Sequence, residues 1–313
     1  MARVRSNYVP SKQATLIWIS SAFLFYLTFR VAMENSSLPN SGGSESPASI
    51  ADRRSRLYDK MARDLDENGA TFLKGGETSQ SLALSDIFVL KDGAVTPVLK
   101  AANPPVRANV LYLSREFSTP ISDAVREIFL PYFDGVIWFQ NASLYHFSMF
   151  HASHHLTPVI ATENEIEAEA SAIKGVADVL CPLKIVLDRV VLTSTGVLLG
   201  CWQVLSGSDP TMIRAKLRNA LPRAPEKQLY DPVLLHTSFA RLLGHPKVQI
   251  KEMKKPYDPL QFFDELVAQV NNKIRGFEAA VSELWFVEEY DVLALALNGR
   301  IKTRRFHLGC QGN

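Results

Sequence analysis

Two of the chain's seven histidines stand in matching surroundings. One sits in Leu144-Tyr145-His146-Phe147-Ser148, the other in Leu234-Leu235-His236-Thr237-Ser238. Both stretches read as strands, where residues i and i+2 share a face, so each histidine projects together with its serine. Imidazole titrates near neutrality, so a facing pair can hold one ring neutral and one protonated. The neutral ring takes a proton from an attacking water, and the charged ring gives one to a departing oxygen. Two hydroxyls alongside can hold the non-bridging oxygens of a crowded phosphorus centre. Cleavage of a phosphodiester, or opening of a cyclic phosphate, could run on these groups without a metal.

The remaining ionisable clusters say less. His151, His154 and His155 form the run HASHH just past the first motif. Neighbours on a strand point to opposite faces, and no carboxylate or cysteine at ligand spacing joins them before Glu163, so a solvated loop at a cleft rim is expected rather than a metal site. Arg241 follows Ser238 by three residues; it either approaches an anion or ends the strand in solvent. The basic runs 251–255 (KEMKK) and 302–305 (KTRR) read as soluble faces.

The chain has 313 residues, 47% hydrophobic and 21% charged, with net charge +2. This excludes collagen, coiled-coil and wholly disordered classes, and any strongly basic nucleic-acid scaffold. No strand is followed by GxGxxG or GxxxxGK[ST], which disfavours dinucleotide and nucleoside-triphosphate enzymes. Three cysteines without a CxxC pair argue against zinc. A hairpin turn near Ser194-Thr195 places Cys201 opposite about Arg189, so Cys181 and Cys201 are not expected to pair; Cys310 reads as free or intermolecular.

Ala14 to Phe29 carries no charge, and the apolar character continues past Arg30 to Met33. Twenty residues rise about 30 Å as helix, one hydrocarbon core. Arg3, Arg5 and Lys12 before the span predict a cytosolic tail (1–13), an uncleaved transmembrane anchor (14–33) and a type II single-pass protein with its bulk in the secretory-pathway lumen, Golgi or ER. The glycosylation triplets at Asn35 and Asn141 agree. Residues 34–81 read as a flexible stem with a short amphipathic helix over Ile50 to Leu65, and 82–313 as the compact domain.

Within that domain strands are predicted at Val110–Leu113, Val136–Phe139, Leu144–Phe150, Leu183–Leu192, Gly196–Leu205, Val233–Ala240, Glu283–Tyr290, Leu293–Leu297 and Arg300–Leu308. Helices are predicted over Ser122–Leu130 (ended by Pro131), Glu163–Ile173, Thr211–Leu221 and Leu260–Ala280. The alternation of elements gives an α+β or α/β class.

On the paired motifs, and on the segment LLHTSFARLLG, the chain resembles the two-histidine phosphoesterases. These include the LigT-like RNA 2′,3′-cyclic phosphodiesterases and the plant cyclic nucleotide phosphodiesterases. The resemblance covers roughly residues 109 to 308. It implies a bilobal α+β fold with two antiparallel sheets flanking a cleft, His146 and His236 as acid and base, Ser148 and Ser238 on the phosphate, and a substrate such as a 2′,3′-cyclic nucleotide or an RNA end. Neither a metal nor another cofactor is implied, and no protein partner is inferable. Serine stands where threonine is commoner, and Phe239 where leucine is. The other classes weighed are a catalytically silent lumenal nucleotide- or phosphate-binding scaffold, and a Golgi transferase. The latter would use Asp64-Leu65-Asp66, a triplet expected in the stalk and outside any compact domain.

Overall fold

The computed structural model describes residues 46–76, 78, 82–91, 93–247 and 258–310. The expected cytosolic tail, the anchor at 14–33, the triplet at Asn35 and the run 251–255 lie outside them. Among the described residues no helix is long and apolar enough to cross a membrane.

The first helix, α1 (Pro47–Asn68), is charged over most of its surface, yet one stripe carries Arg54, Tyr58 and Leu65, all buried. Steps of four and seven residues keep these three on one inward helical face. The polar tips on it are satisfied. Arg54 donates to the Val233 carbonyl (2.6 Å) and to Asp209 Oδ2 (2.7 Å). The Tyr58 hydroxyl lies 2.7 Å from the carbonyls of both Trp202 and Leu235, and accepts the Leu235 N–H at 3.2 Å. The stem reading is therefore corrected. The helix is longer than Ile50–Leu65, it is docked, and the compact unit begins at Pro47 rather than at residue 82.

A short helix α2 (Leu84–Ile87) leads into an unanticipated hairpin, β1 (Phe88–Lys91) and β2 (Ala94–Pro97). Then come β3 (Ala101–Tyr112), α3 (Arg115–Phe133), β4 (Ile137–Phe139), β5 (His146–Ser153), α4 (Glu163–Asp178), β6 (Leu183–Leu192) and β7 (Val197–Ser206). The chain continues through α5 (Pro210–Ala220), β8 (His236–Leu242), α6 (Pro259–Ile274), β9 (Glu278–Val281), β10 (Glu283–Asp291), α7 (Ala294–Leu297) and β11 (Ile301–His307). Pro131 lies inside α3 and does not end it; β8 starts at His236, not Val233.

Besides the two-stranded β1–β2 sheet, the described residues form two larger antiparallel sheets, in the orders β11-β10-β3-β5 and β4-β8-β7-β6-β9. Helices α4 and α5 cover the first, α3 and α6 the second, and β5 meets β8 between them. This is the α+β, two-lobed arrangement expected. The β6–β7 hairpin sets Cys201 against Arg189, as its turn requires. Cys310 is not free: it pairs with Cys181, while Cys201 is buried and unpaired. The approach is fixed by Gly309 N–H on Ala177 and Cys310 N–H on Leu180, contacts between distant segments that spacing does not reveal.

Leu293–Leu297, expected as a strand, is the turn of helix α7 between two left-handed residues, Leu293 (φ 59°) and Asn298 (φ 57°). A short apolar run fits a strand or a buried helical turn equally. Here Leu295 drops onto the sheet face of Ala108, Val110, Trp285 and Val287, and that burial decides.

Candidate active site

Along β5, His146 and Ser148 are half-buried while Phe147 and Met149 are buried. Along β8, His236 and Ser238 are half-buried while Thr237 and Phe239 are buried. The alternation aims all four polar side chains at one cavity of about 430 Å³. The two histidines thus meet on one wall system, from strands in different sheets.

Both strands then break period in the same way. Pairing of β3 with β5 passes from Val110↔Ser148 to Asn109↔Phe150, so Met149 is an extra residue. Pairing of β7 with β8 passes from Leu199↔Ser238 to Leu198↔Ala240, so Phe239 is extra. A bulge re-aims everything beyond it. Two consecutive side chains go inward, and the third after each serine returns to the cavity: His151 from β5, Arg241 from β8. Phe239 fits inward because Gly200 faces it; a Cβ on Gly200 would lie 2.2 Å from the ring.

Arg241 therefore enters the cavity rather than ending the strand in solvent. Its Nη1 donates to the Thr195 carbonyl at 3.4 Å, and burial pulls its pKa down to about 10. HASHH is likewise corrected. His151 and His154 are buried in the wall of the cavity, not solvated on a loop. The His154 Nδ1 accepts from Thr157 N–H (3.1 Å), which leaves Nε2 to donate to the Lys227 carbonyl (3.2 Å). With both nitrogens committed it is not a metal ligand, and among the described residues no His/Cys/Asp/Glu cluster is arranged to hold one. The rings of His154, His151, Tyr230 and His236 follow one another, with centroids 6.0, 6.4 and 5.0 Å apart.

Electrostatics separate the two motif histidines. The His146 Nδ1 lies 2.7 Å from the Leu144 carbonyl, which only accepts, so Nδ1 carries the proton and Nε2 is free. Burial lowers the pKa of His146, and that carbonyl opposes the shift. His236 has no such support. Burial first, then the charges of Arg214 and His146, push it down to about 3. His151 is pushed to about 3 by burial and by His154, His155, His146 and Arg214.

Arg214, on α5, holds the two motif segments together. It donates to the carbonyls of Met149 (3.0 Å) and Ser148 (2.9 Å) on one side, and of Pro232 (2.6 Å) and Leu234 (2.8 Å) on the other. Helix α1 adds Met61 and Asp64 to the cavity wall. Asp64, expected outside any domain, instead accepts Ser194 N–H on its Oδ2 at 2.7 Å. Residues i and i+2 of a helix do not face each other, so Asp64 and Asp66 cannot clamp one ion as a transferase would require.

One wall group was not anticipated at all. Glu289 of β10 is buried and lines the cavity. Burial pushes its pKa up to about 7, against hydrogen bonds from the N–H groups of Leu295 and Ala294.

No protein-family model matches the chain, and no curated protein sequence matches it. Among solved structures it is similar to TT0787 of Thermus thermophilus, with TM-score 0.44 and 12% identity over 66% of this chain and 100% of that one. It is similar to E. coli LigT in apo form, with TM-score 0.40 and 13% identity over 65% and 97%. A third likeness is a phosphoesterase, with TM-score 0.37 and 14% identity over 66% and 99%. At these scores and identities the likeness decides nothing about chemistry; the side chains around the cavity do.

Proposed function

We propose that the chain is a metal-independent phosphoesterase that opens a cyclic phosphate or cleaves a phosphodiester, with 2′,3′-cyclic nucleotides or RNA ends as substrates. The observation that carries this reading is the convergence of His146, Ser148, His236, Ser238 and Arg241 on one cavity.

The roles follow from the environments. The phosphate enters between the motifs, with Ser148 and Ser238 donating to its non-bridging oxygens and Arg241 balancing their charge. His236, kept neutral by burial and by the Arg214 charge, is the base: it takes a proton from water as the water oxygen bonds to phosphorus. His146, whose imidazolium is favoured by the Leu144 carbonyl, is the acid. Its Nε2 proton goes to the ester oxygen as the P–O bond breaks. The anion itself raises both pKa values, so the site charges when it fills.

Turnover of 2′,3′-cyclic nucleotides by the purified chain tests the proposal. His146→Ala and His236→Ala should each lower kcat/KM by about 10²–10⁴. Full activity in either variant would end it.

The same proposal places the domain in the secretory lumen behind an anchor at 14–33. Support comes from the Cys181–Cys310 disulfide, a bond of oxidising compartments, and from the exposed Asn141 of a glycosylation triplet. Protease added to sealed vesicles should spare the domain; digestion there would reverse the orientation.

A further inference from the structure

Beyond the phosphate groups the cavity has a second polar station. Gln140, between β4 and β5, and Glu289, on β10, are both more than nine-tenths buried and both line the cavity. Both are tied to the same backbone residue. Gln140 Nε2 donates to the Leu295 carbonyl at 2.7 Å, and Leu295 N–H donates to Glu289 Oε2 at 2.9 Å. Leu295 thus holds the two side chains next to each other.

One of the amide's two N–H groups is spent on that carbonyl, so Gln140 can offer a ligand its Oε1 as an acceptor and its second N–H as a donor. A carboxylate has about four acceptor sites. Backbone N–H groups of Leu295 and Ala294 fill two of Glu289's. What the pair presents is a carboxylate with two acceptor sites left, beside an amide with one N–H left to donate, between the apolar side chains of Val106, Ala108 and Leu293.

Position fits a base rather than a phosphate. Glu289 pairs with Val106 on β3, and Ser148 pairs with Val110 on the same strand. Four residues of strand separate the two levels by about 13 Å, the reach of a nucleoside extending from the phosphate. Flat apolar walls suit a ring; the carboxylate's remaining sites suit two adjacent donors, and the amide N–H beside it suits an acceptor. Among the nucleobases, guanine presents such an edge, its 2-amino group and imino N1–H beside the acceptor O6.

We propose that Gln140 and Glu289 form a base-recognition subsite that selects guanine in the nucleotide whose phosphate lies between His146 and His236. This rests on the phosphoesterase reading above, and extends it from a phosphate to a nucleotide of defined base.

Calorimetric titration of the full chain in detergent tests it, with guanosine, inosine and adenosine 3′-phosphates, at pH 8 where Glu289 is ionised. Inosine keeps the imino N–H and lacks the amine; adenosine lacks the paired donors. Guanosine 3′-phosphate should bind about tenfold more tightly than the inosine compound, the worth of one buried hydrogen bond, and more tightly still than the adenosine one. Glu289→Gln should compress that order by weakening guanosine 3′-phosphate about tenfold or more, and a guanosine preference left unchanged in that variant would overturn the subsite. Equal binding of all three would sink the subsite and leave the phosphate site standing; binding of none would bring down both.

Discussion

Arg214 and Ser148 are joined by a hydrogen bond of 2.9 Å, from the guanidinium Nη2 to the serine's backbone carbonyl. The same nitrogen lies 2.8 Å from the Leu234 carbonyl, two residues before His236. One planar group thus sets the spacing between motifs from different sheets, and it lies behind the row of side chains that would meet substrate. Arg214 is a positioning residue. Its burial lowers its pKa to about 10, so at neutral pH it stays a cation and adds to the field that keeps His236 neutral.

Arg214→Lys keeps the charge and loses the fork. An ammonium cannot reach four carbonyls spread over two segments, so buried acceptors go unpaired at about 1–3 kcal/mol. The expected result is a lower Tm and a kcat down by about tenfold or more. The alkaline and acid arms of the pH–rate profile should shift as the motif spacing relaxes. Unchanged kcat with lowered Tm would make Arg214 a stability residue only.

The acid and base assignments separate on the leaving group. A p-nitrophenyl phosphodiester needs little protonation of its departing oxygen. His146→Ala should recover most of its lost rate on that substrate, whereas His236→Ala, lacking the base, should not. Recovery in the opposite variant would exchange the roles.

The His-x-Ser pairs are legible because a strand's period of two holds from each histidine to its serine. The period fails one residue later, at Met149 and Phe239, and strict alternation misplaces what lies beyond each bulge: His151 reads as part of a rim loop, and Arg241 reads either way. A bulge depends on the partner strand, on Asn109–Val110 and Leu198–Leu199, and those pairings are not local facts. Helix α1 is legible as a helix but not as a wall of the site. Its inward stripe includes a buried arginine and tyrosine whose partners lie at Trp202, Asp209, Val233 and Leu235. Glu289 sits in an apolar-acidic strand with nothing in its sequence to mark it.

Acid should weaken the fold through two of the cavity histidines. His151 and His236 have folded pKa values pushed down to about 3, below the ordinary 6.5. Their unfolded forms take up protons first, so stability is full above about pH 6.5 and declines toward pH 3. Each group contributes up to about 1.4 kcal/mol per pH unit within that window. Denaturant titrations at neutral and at progressively more acid pH, within that window, measure the slope. His151→Asn should flatten it, and saturating inorganic phosphate, by pairing with the rings, should flatten it too. A slope that neither change alters would assign acid sensitivity to other groups.

Tyr58 offers the sharpest check that α1 belongs to the catalytic unit. Its hydroxyl touches both the N–H and the carbonyl of Leu235, the residue before His236, and burial raises its pKa so that it stays a neutral donor. Tyr58→Phe removes one oxygen and keeps the ring. Buried backbone groups at Leu235 lose their partner, at about 1–3 kcal/mol. If the hydroxyl also sets where His236 points, kcat should fall several-fold with KM held. Tyr58→Phe is then distinguished from Leu65→Ala on the same helix, which makes a cavity costing about 2–5 kcal/mol and should leave kcat alone. Equal effects of the two variants on kcat would mean that α1 acts through stability and not through the histidine.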